Sequence, residues 1–257
     1  MNSNNNFFKL HSDESEEDVK LLKEFLTGCE NQNRFSISVI SALCCELREI
    51  DENDEDITTT LQRVSDRIIR QCSQIMKMTE IYSVLSDSLS ERAVVRRNVD
   101  LSEYLYDFSE ECNEKLGGFF NVEYEKNVSI YASIIKRLMD FALGMFVRKA
   151  ALDGAEAVKL SAVENEDYVI ISADIINNNS KPYTEKAAES FSDEYAYQII
   201  KVACDRMDTL LTIDEKGIQI KIIRDNSGEI VFSSNEPKLK NHSFSTLSNL
   251  LSDLDNG

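Results

Sequence analysis

The residues from Ile57 to Leu89 carry apolar side chains that alternate four and three positions apart. They are Ile57, Leu61, Val64, Ile68, Ile75, Met78, Tyr82, Leu85 and Leu89, and Gln71 is the polar residue in the series. A repeat of 3.5 residues puts one apolar stripe along a helix, as in helical bundles and coiled coils. The stretch therefore predicts a long amphipathic helix that packs against other helices.

A second helix is predicted over residues 35–50, ahead of the acidic turn "DENDED". Its apolar face combines Ile37, Ile40, Leu43 or Cys44, and Leu47. Two antiparallel helices alone give a narrow two-layer core, so we expect two copies of the chain to join their hairpins in a four-helix bundle. The expected dimer interface consists of Ile57, Leu61, Val64, Ile68, Ile75, Met78 and Tyr82. The alternative is one long core helix within a monomer.

The segments that flank this hairpin are mostly polar. Residues 1–33 form a polar leader, in which residues 16–26 are predicted to form a short helix that ends at Gly28 and its polar neighbours. Residues 234–257 form a polar tail whose apolar members are spaced for one or two amphipathic turns. Those members are Phe244, Leu247, Leu250, Leu251 and Leu254.

The chain carries a strong negative charge. Its 46 acidic and 28 basic residues give a formal net charge of -18. This charge repels nucleic acids and anionic lipids, so basic protein surfaces are the expected partners. No apolar run reaches the ~20 residues that span a membrane, and the polar start lacks a signal-peptide layout, which predicts a cytoplasmic protein. The six cysteines show no CxxC spacing, so we expect reduced thiols and no metal site.

Residues 34–97 thus form the predicted hairpin domain, and residues 98–233 mix helical and strand patterns. A helix capped by Asp100 or Ser102 comes first, and the strand "FFNVEYEKN" follows it. A helix over residues 131–150, the strands "AEAVKLSAV" and "DYVIISAD", a helix over residues 195–207, and the strands "TLLTIDEK" and "GIQIKIIRD" come next, with Gly217 in the last turn. The stretch "GEIVFSS" predicts one further strand. The predicted class is α+β, a long antiparallel helical hairpin followed by a two-layer α/β sandwich.

This order of elements resembles the dimerisation and ATP-binding halves of sensor histidine kinases over about residues 35–225. The stretch "RRNVDLSEYLYDFSEEC" is similar to the "VDL…ELL" entry into the family's catalytic domain, and "MKMTEIYSVLSD" is similar to the end of its second hairpin helix. The stretch "EYAYQIIKVACDRMDTLLTIDEKGIQIKI" matches the spacing of the family's second glycine motif, with Ile199, Ile200 and Lys201 in register. The resemblance implies a histidine kinase-like ATPase fold for the second half of the chain.

The resemblance also marks where the family's phosphoacceptor histidine stands, and this chain has no histidine there. That imidazole attacks the γ-phosphate of ATP and forms a labile phosphoramidate. The corresponding residue is Ser41 in one alignment and Ala42 in the other. The two histidines of the chain, His11 and His242, lie in the polar leader and the polar tail, where we expect them to be exposed and without a role.

The nucleotide site departs from the family in the same way. The asparagine that holds Mg²⁺ corresponds to Met145 and an earlier asparagine to Phe141, and neither side chain has the hard oxygen that Mg²⁺ requires. Asp174 is either a relic of the adenine contact or a solvated turn residue. The glycines of the second motif correspond to Glu194 and Ala196, and a carboxylate at that helix start opposes phosphate binding. We therefore expect a decayed nucleotide site without cofactor or metal.

With these departures, the resemblance implies a catalytically inactive histidine-kinase-like protein of bacterial two-component signalling, a pseudokinase. We expect a homodimer that contacts a response regulator or a true sensor kinase. In the family the response regulator docks near the phosphoacceptor, so the expected partner-binding residues are Ser38, Ser41, Ala42 and Cys45. Two alternatives stay open: a phosphorelay phosphotransferase with an unusual acceptor, and an α/β scaffold dimer without a signalling role.

Overall fold

The computed structural model of the chain describes residues 16–49, 57–89, 96–126, 128–176, 195–223, 245–251 and 254. In these ranges a hairpin of two long helices precedes an α/β half that is built on a five-stranded sheet. The predicted class, a helical hairpin followed by an α/β sandwich, is confirmed. None of the helices in this part of the chain combines the length and the apolar character needed to cross a bilayer.

The first helix, α1 (Glu16–Glu49), is longer than predicted. The expected break at Gly28 is wrong, because Phe25 and Cys29 on either side of it are both buried in the hydrophobic core. Their burial offsets the ~1 kcal/mol that a glycine costs inside a helix. One continuous helix therefore replaces the predicted short helix and its separate successor.

The second helix, α2 (Ile57–Leu89), confirms the long helix that the 3.5-residue period predicts. It runs antiparallel to α1, because residues near the end of α2 contact residues in the first part of α1. The Tyr82 hydroxyl donates a hydrogen bond to the Leu26 carbonyl at 3.0 Å. Further along, the Ser36 hydroxyl donates to Oε1 of Gln74 at 3.3 Å. The predicted hairpin is thus formed within a single chain.

Four elements follow the hairpin, and they are β1 (Arg97–Asp100), α3 (Leu101–Lys115), β2 (Asn121–Tyr124) and β3 (Tyr131–Ile134). Strands β1 and β3 form a two-stranded sheet, while β2 belongs to the five-stranded sheet. Asp100 caps α3 as predicted, accepting a hydrogen bond from the Ser102 amide at 2.9 Å. The prediction that residues 131–134 begin a helix is wrong, because they pair antiparallel with β1, which satisfies their backbone hydrogen bonds.

The rest of the α/β half confirms the order of elements that the sequence predicts. It consists of α4 (Lys136–Leu152), β4 (Ala157–Glu164), β5 (Tyr168–Ile176), α5 (Ala196–Arg206), β6 (Leu210–Ile213), β7 (Gly217–Ile223) and α6 (Thr246–Leu251). The sheet order is β2-β4-β5-β7-β6. Only the β2–β4 pair is parallel among these described strands. The stretch "GEIVFSS" lies outside the described residues, as do His11 and His242.

The turn between β6 and β7 requires the glycine that was predicted there. Gly217 has a φ of +155°, and a Cβ at this position would lie 2.0 Å from the carbonyl oxygen of Ala173 on the neighbouring strand β5. Oδ1 of Asp214 accepts hydrogen bonds from the amides of Lys216 and Gly217, at 2.8 and 3.1 Å. Close backbone approach therefore fixes both the residue type and the strand register.

The four leucines of the predicted polar tail belong to the core of the protein, while Phe244 lies outside the described residues. The amphipathic turn expected there is α6, and Leu247, Leu250, Leu251 and Leu254 are each buried to 2% exposure or less. These four leucines join the same hydrophobic cluster as the α/β half and the adjoining end of the hairpin. The last described residues thus complete the core, which the polar composition of the tail did not predict.

Candidate functional site

Helix α4 is the element on which a nucleotide site would depend, and it is buried almost throughout. Of its 17 residues, 13 are buried, among them Phe141, Met145 and Phe146 with no exposed surface. A helix that is apolar on all sides needs a neighbour on each of them. Helix α5 packs along one side of α4, α6 packs along another, and strand β4 also contacts it.

The two positions of α4 that correspond to the family's asparagines are therefore core positions. The thioether of Met145 and the ring of Phe141 are fully buried within the hydrophobic cluster. Neither side chain carries an oxygen or a charge that could bind Mg²⁺. In the described part of the chain, no group of three or more His, Cys, Asp or Glu side chains is arranged to hold a metal ion.

Asp174 does not lie beside these two residues. It belongs to strand β5, opposite Lys159 on β4 and Gly217 on β7. Side chains alternate along a strand, and the buried residues of β5 include Ile171 and Ala173, so Asp174 is on the other, more exposed sheet face. The interpretation of Asp174 as a turn residue is wrong, because the strand continues to Ile176.

The start of α5 gives the remaining part of the predicted nucleotide site. Ala196 is the first helical residue and is 1% exposed. The N-cap residue Tyr195 has no side-chain hydrogen bond to the helix start. Glu194 lies outside the described residues. Of the four predicted residues, Met145 and Ala196 thus belong to the common core, while Asp174 is on the opposite face of the sheet.

The predicted partner-binding residues form one exposed stripe on α1. Ser38, Ser41, Ala42 and Cys45 are all exposed, and their spacing of three, four and seven residues places them on one side of the helix. The buried residues of this segment, Ser36 and Leu43, lie elsewhere on the helix. We call these four residues the α1 stripe. It offers two hydroxyl groups and a thiol but no imidazole.

The predicted dimer residues differ in how far they are exposed in the single chain. Val64 and Met78 have no exposed surface within the single chain, because they pack inside the hairpin and its adjoining core. Leu61 is 43% exposed. The remaining four are half-buried, and they are Ile57, Ile68, Ile75 and Tyr82. Only the exposed and half-buried members have apolar area that a partner could cover.

A carboxylate near the start of α4, whose side chain is only 13% exposed, was not foreseen from the sequence. Oδ1 of Asp140 accepts a hydrogen bond from the Tyr104 hydroxyl at 2.8 Å, and Oδ2 accepts one from Nζ of Lys136 at 2.7 Å. Burial raises the pKa of Asp140 above its ordinary value of 3.8, and Lys136 opposes that shift. The one sequence signal was the i, i+4 spacing of Lys136 and Asp140.

The chain is similar in structure to histidine kinases. The histidine kinase AdeS of Acinetobacter baumannii is 10% identical, the match covers 75% of this chain and 97% of that chain, and the TM-score is 0.50. The histidine kinase ThkA, solved in complex with the response regulator TrrA, is 14% identical, with 81% of this chain and 64% of that chain covered and a TM-score of 0.52. No protein-family model matches the sequence, and no curated protein matches it either. At these identities the likeness shows the fold alone, which is the histidine-kinase-like fold.

Replacing Asp140 by asparagine is expected to remove a pH dependence from the stability of the fold. The pKa of this carboxyl is higher in the folded than in the unfolded chain, so its contribution to the free energy of unfolding falls as the pH rises from 3.8 through the raised pKa. The advantage of Asp140→Asn over wild type should therefore grow between pH 3 and pH 7. Urea unfolding at several pH values measures it.

The matched control is Glu123→Gln, which makes the same chemical change at an exposed residue of β2. This variant should follow the wild-type pH dependence. A constant difference between Asp140→Asn and wild type, or one that shrinks as the pH rises, would contradict the assignment.

Proposed function

We propose that this chain is a catalytically inactive, histidine-kinase-like signalling protein that acts through protein contacts. Its partner is a response regulator or a true sensor kinase, and the contact surface is the α1 stripe. The observation that carries the proposal is that Ser41 and Ala42, the positions aligned with the phosphoacceptor, are exposed on a helical surface without an imidazole. Exposure supports docking at the α1 stripe, and the missing imidazole supports the absence of a phosphate acceptor there.

The packing of α4 supports the absence of kinase activity. ATP binding by this fold needs polar groups at the positions of Met145 and Phe141, which here contribute apolar side chains to the core. To admit a nucleotide, these side chains would have to leave the core, which costs ~2–5 kcal/mol for each large apolar side chain whose packing is lost. We therefore assign neither autophosphorylation nor ATP hydrolysis to the chain.

MgATP is expected to leave the stability of the purified protein unchanged. A ligand that binds the folded state at 100 times its Kd stabilises it by ~2.7 kcal/mol, which is easily detected in thermal unfolding. Thermal unfolding with and without millimolar MgATP measures this, and an active histidine kinase serves as the positive control. Binding with a Kd in the micromolar range, seen by calorimetry, would refute the proposed inactivity.

The α1 stripe is expected to determine binding to a response regulator. We expect at least one receiver domain encoded in the same genome to bind the purified protein. Ala42→Arg should weaken that binding at least tenfold, or by ~1.4 kcal/mol, because a long charged side chain replaces a small exposed one within the contact. Calorimetric titration measures the Kd.

The control for this experiment is Gln62→Arg, which adds the same side chain at an exposed position of α2. It should leave the Kd unchanged. If Ala42→Arg and Gln62→Arg bind a receiver domain as tightly as wild type does, the docking surface is elsewhere.

We also propose that the protein is a homodimer, joined through the hairpins. The hairpin leaves large apolar side chains exposed, with Phe35 at 65%, Leu61 at 43% and Ile69 at 49%. The side-chain oxygen of Gln71 is buried without a hydrogen-bond partner among the described residues. A second hairpin would cover this apolar area. The exposed apolar side chains support a bundle, and Gln71, the polar residue of the seam, is proposed to set its register.

Ile68→Glu is expected to convert the protein to monomers. The half-buried Ile68 would lie in the shared core, so each subunit of a mutant dimer would bury an unpaired carboxylate. We expect the dimer Kd to rise at least 100-fold, or by ~2.7 kcal/mol, while the α/β half keeps its circular dichroism. Sedimentation velocity at micromolar concentration measures the change.

Gln62→Glu, which places a carboxylate at an exposed position of the same helix, is the matched control and should remain dimeric. The dimer proposal fails if the wild-type protein already sediments as a monomer at micromolar concentration.

A further inference from the structure

The C-terminal helix α6 takes its position from contacts with the rest of the protein. It has only six residues, and an isolated helix of that length is not stable in water. Its leucines fall at spacings of three, four and seven residues, which form one apolar stripe. The four residues are Leu247, Leu250, Leu251 and Leu254, and all are buried. Helix α6 therefore forms where a matching groove receives this stripe.

One side of that groove belongs to α4 and is shaped for α6. Gly144 lies where the two helices meet, and a Cβ on it would lie 2.8 Å from Cδ2 of Leu247 and 3.0 Å from Cδ1 of Leu250. One turn further along α4, the buried side chain of Arg148 donates a hydrogen bond from Nη1 to the Leu250 carbonyl at 3.0 Å. A cation thus pairs with a carbonyl at the C-terminal end of α6, where the helix leaves its carbonyls unpaired.

The other side of the groove belongs to the hairpin and centres on Glu80 of α2. The Glu80 side chain is only 11% exposed and forms a salt bridge with Arg137 of α4 at 3.1 Å. It also accepts hydrogen bonds from the Thr246 hydroxyl at 3.1 Å and from Nδ2 of Asn249 at 3.4 Å. One carboxylate therefore joins α2, α4 and α6. We call this group of four residues the Glu80 junction.

A third contact ties α6 to α3. The hydroxyl of Ser245, the residue just before α6, donates a hydrogen bond to Oε1 of Glu111 at 2.6 Å. The first two residues of this segment, Ser245 and Thr246, thus each present a hydroxyl donor to a carboxylate. Each hydroxyl can donate to its neighbouring carboxylate, whereas a negative charge on either residue would be repelled by Glu80 and Glu111.

We infer that α6 is a latch that holds the hairpin against the α/β half, and that its release lets the two halves change their relative position. The direct side-chain contacts between the halves include the Arg137–Glu80 salt bridge and the edge-to-face contact of Phe25 with Tyr195, whose ring centroids are 5.6 Å apart. Helix α6 adds apolar burial and hydrogen bonds to both sides at once. The inference stands whether or not the chain binds a response regulator.

The test compares two substitutions of one residue in the full-length protein. Thr246→Asp places a carboxylate beside Glu80, whereas Thr246→Val removes the hydroxyl and keeps the shape of the side chain. Hydrogen exchange followed by mass spectrometry should show at least tenfold faster exchange of α6 in Thr246→Asp, with faster exchange in the surfaces it covers, residues 78–85 and 144–151. Thr246→Val should change exchange less. Small-angle scattering of the same size-exclusion fraction should show a larger radius of gyration for Thr246→Asp.

Two further variants keep this test decisive. Leu250→Ser removes one apolar anchor of the latch and should give the same pattern as Thr246→Asp. Thr212→Asp makes the same chemical change on the exposed strand β6 and should behave as wild type. Unchanged exchange in α6, faster exchange throughout the sheet, or release of α6 without a change in the scattering curve would each overturn the inference. Uniformly faster exchange across the whole protein would indicate that α6 is an ordinary part of the core.

Discussion

The burial of 13 of the 17 residues of α4 is the constraint on which the rest of the α/β half depends. A helix with apolar side chains in every direction is stable only if water is excluded from all of its sides. The sheet provides one cover, and α5 and α6 provide others. Gly144 allows the α6 leucines to reach the backbone of α4, and Arg148 pairs with the end of α6 instead of with solvent. The close contact of α6 thus follows from the sequence of α4.

The same constraint bears on the two α4 positions that the resemblance to histidine kinases aligns with asparagines. Asparagine at the positions of Met145 or Phe141 would leave buried polar atoms without partners unless a ligand or water satisfied them. With apolar residues in these places, the helix gains packing and needs no ligand. The apolar residues that support the proposed lack of nucleotide binding are therefore also residues that stabilise the core.

Local sequence patterns predicted most of the fold, and contacts between distant segments account for what they missed. The 3.5-residue period predicted α2, the cap at Asp100 predicted the start of α3, and Gly217 predicted the turn between β6 and β7. The continuity of α1 through Gly28 depends on tertiary burial of Phe25 and Cys29, which a propensity scale does not contain. Strand β3 depends on pairing with β1. The Glu80 junction joins residues 57, 166 and 169 positions apart, and no local pattern encodes such a meeting.

The predicted site residues likewise divide into those that local spacing could place and those that required the tertiary arrangement. That the α1 stripe lies on one face of the helix followed from helical spacing alone, because residues three and four apart share a face whatever packs nearby. The nucleotide positions needed the arrangement of layers, since Asp174 turns to one face of the sheet while Met145 is buried on the other side. The apolar surface of α4 is covered within the chain, whereas Phe35, Leu61 and Ile69 of the hairpin remain exposed, on the part of the chain where the dimer is proposed to form.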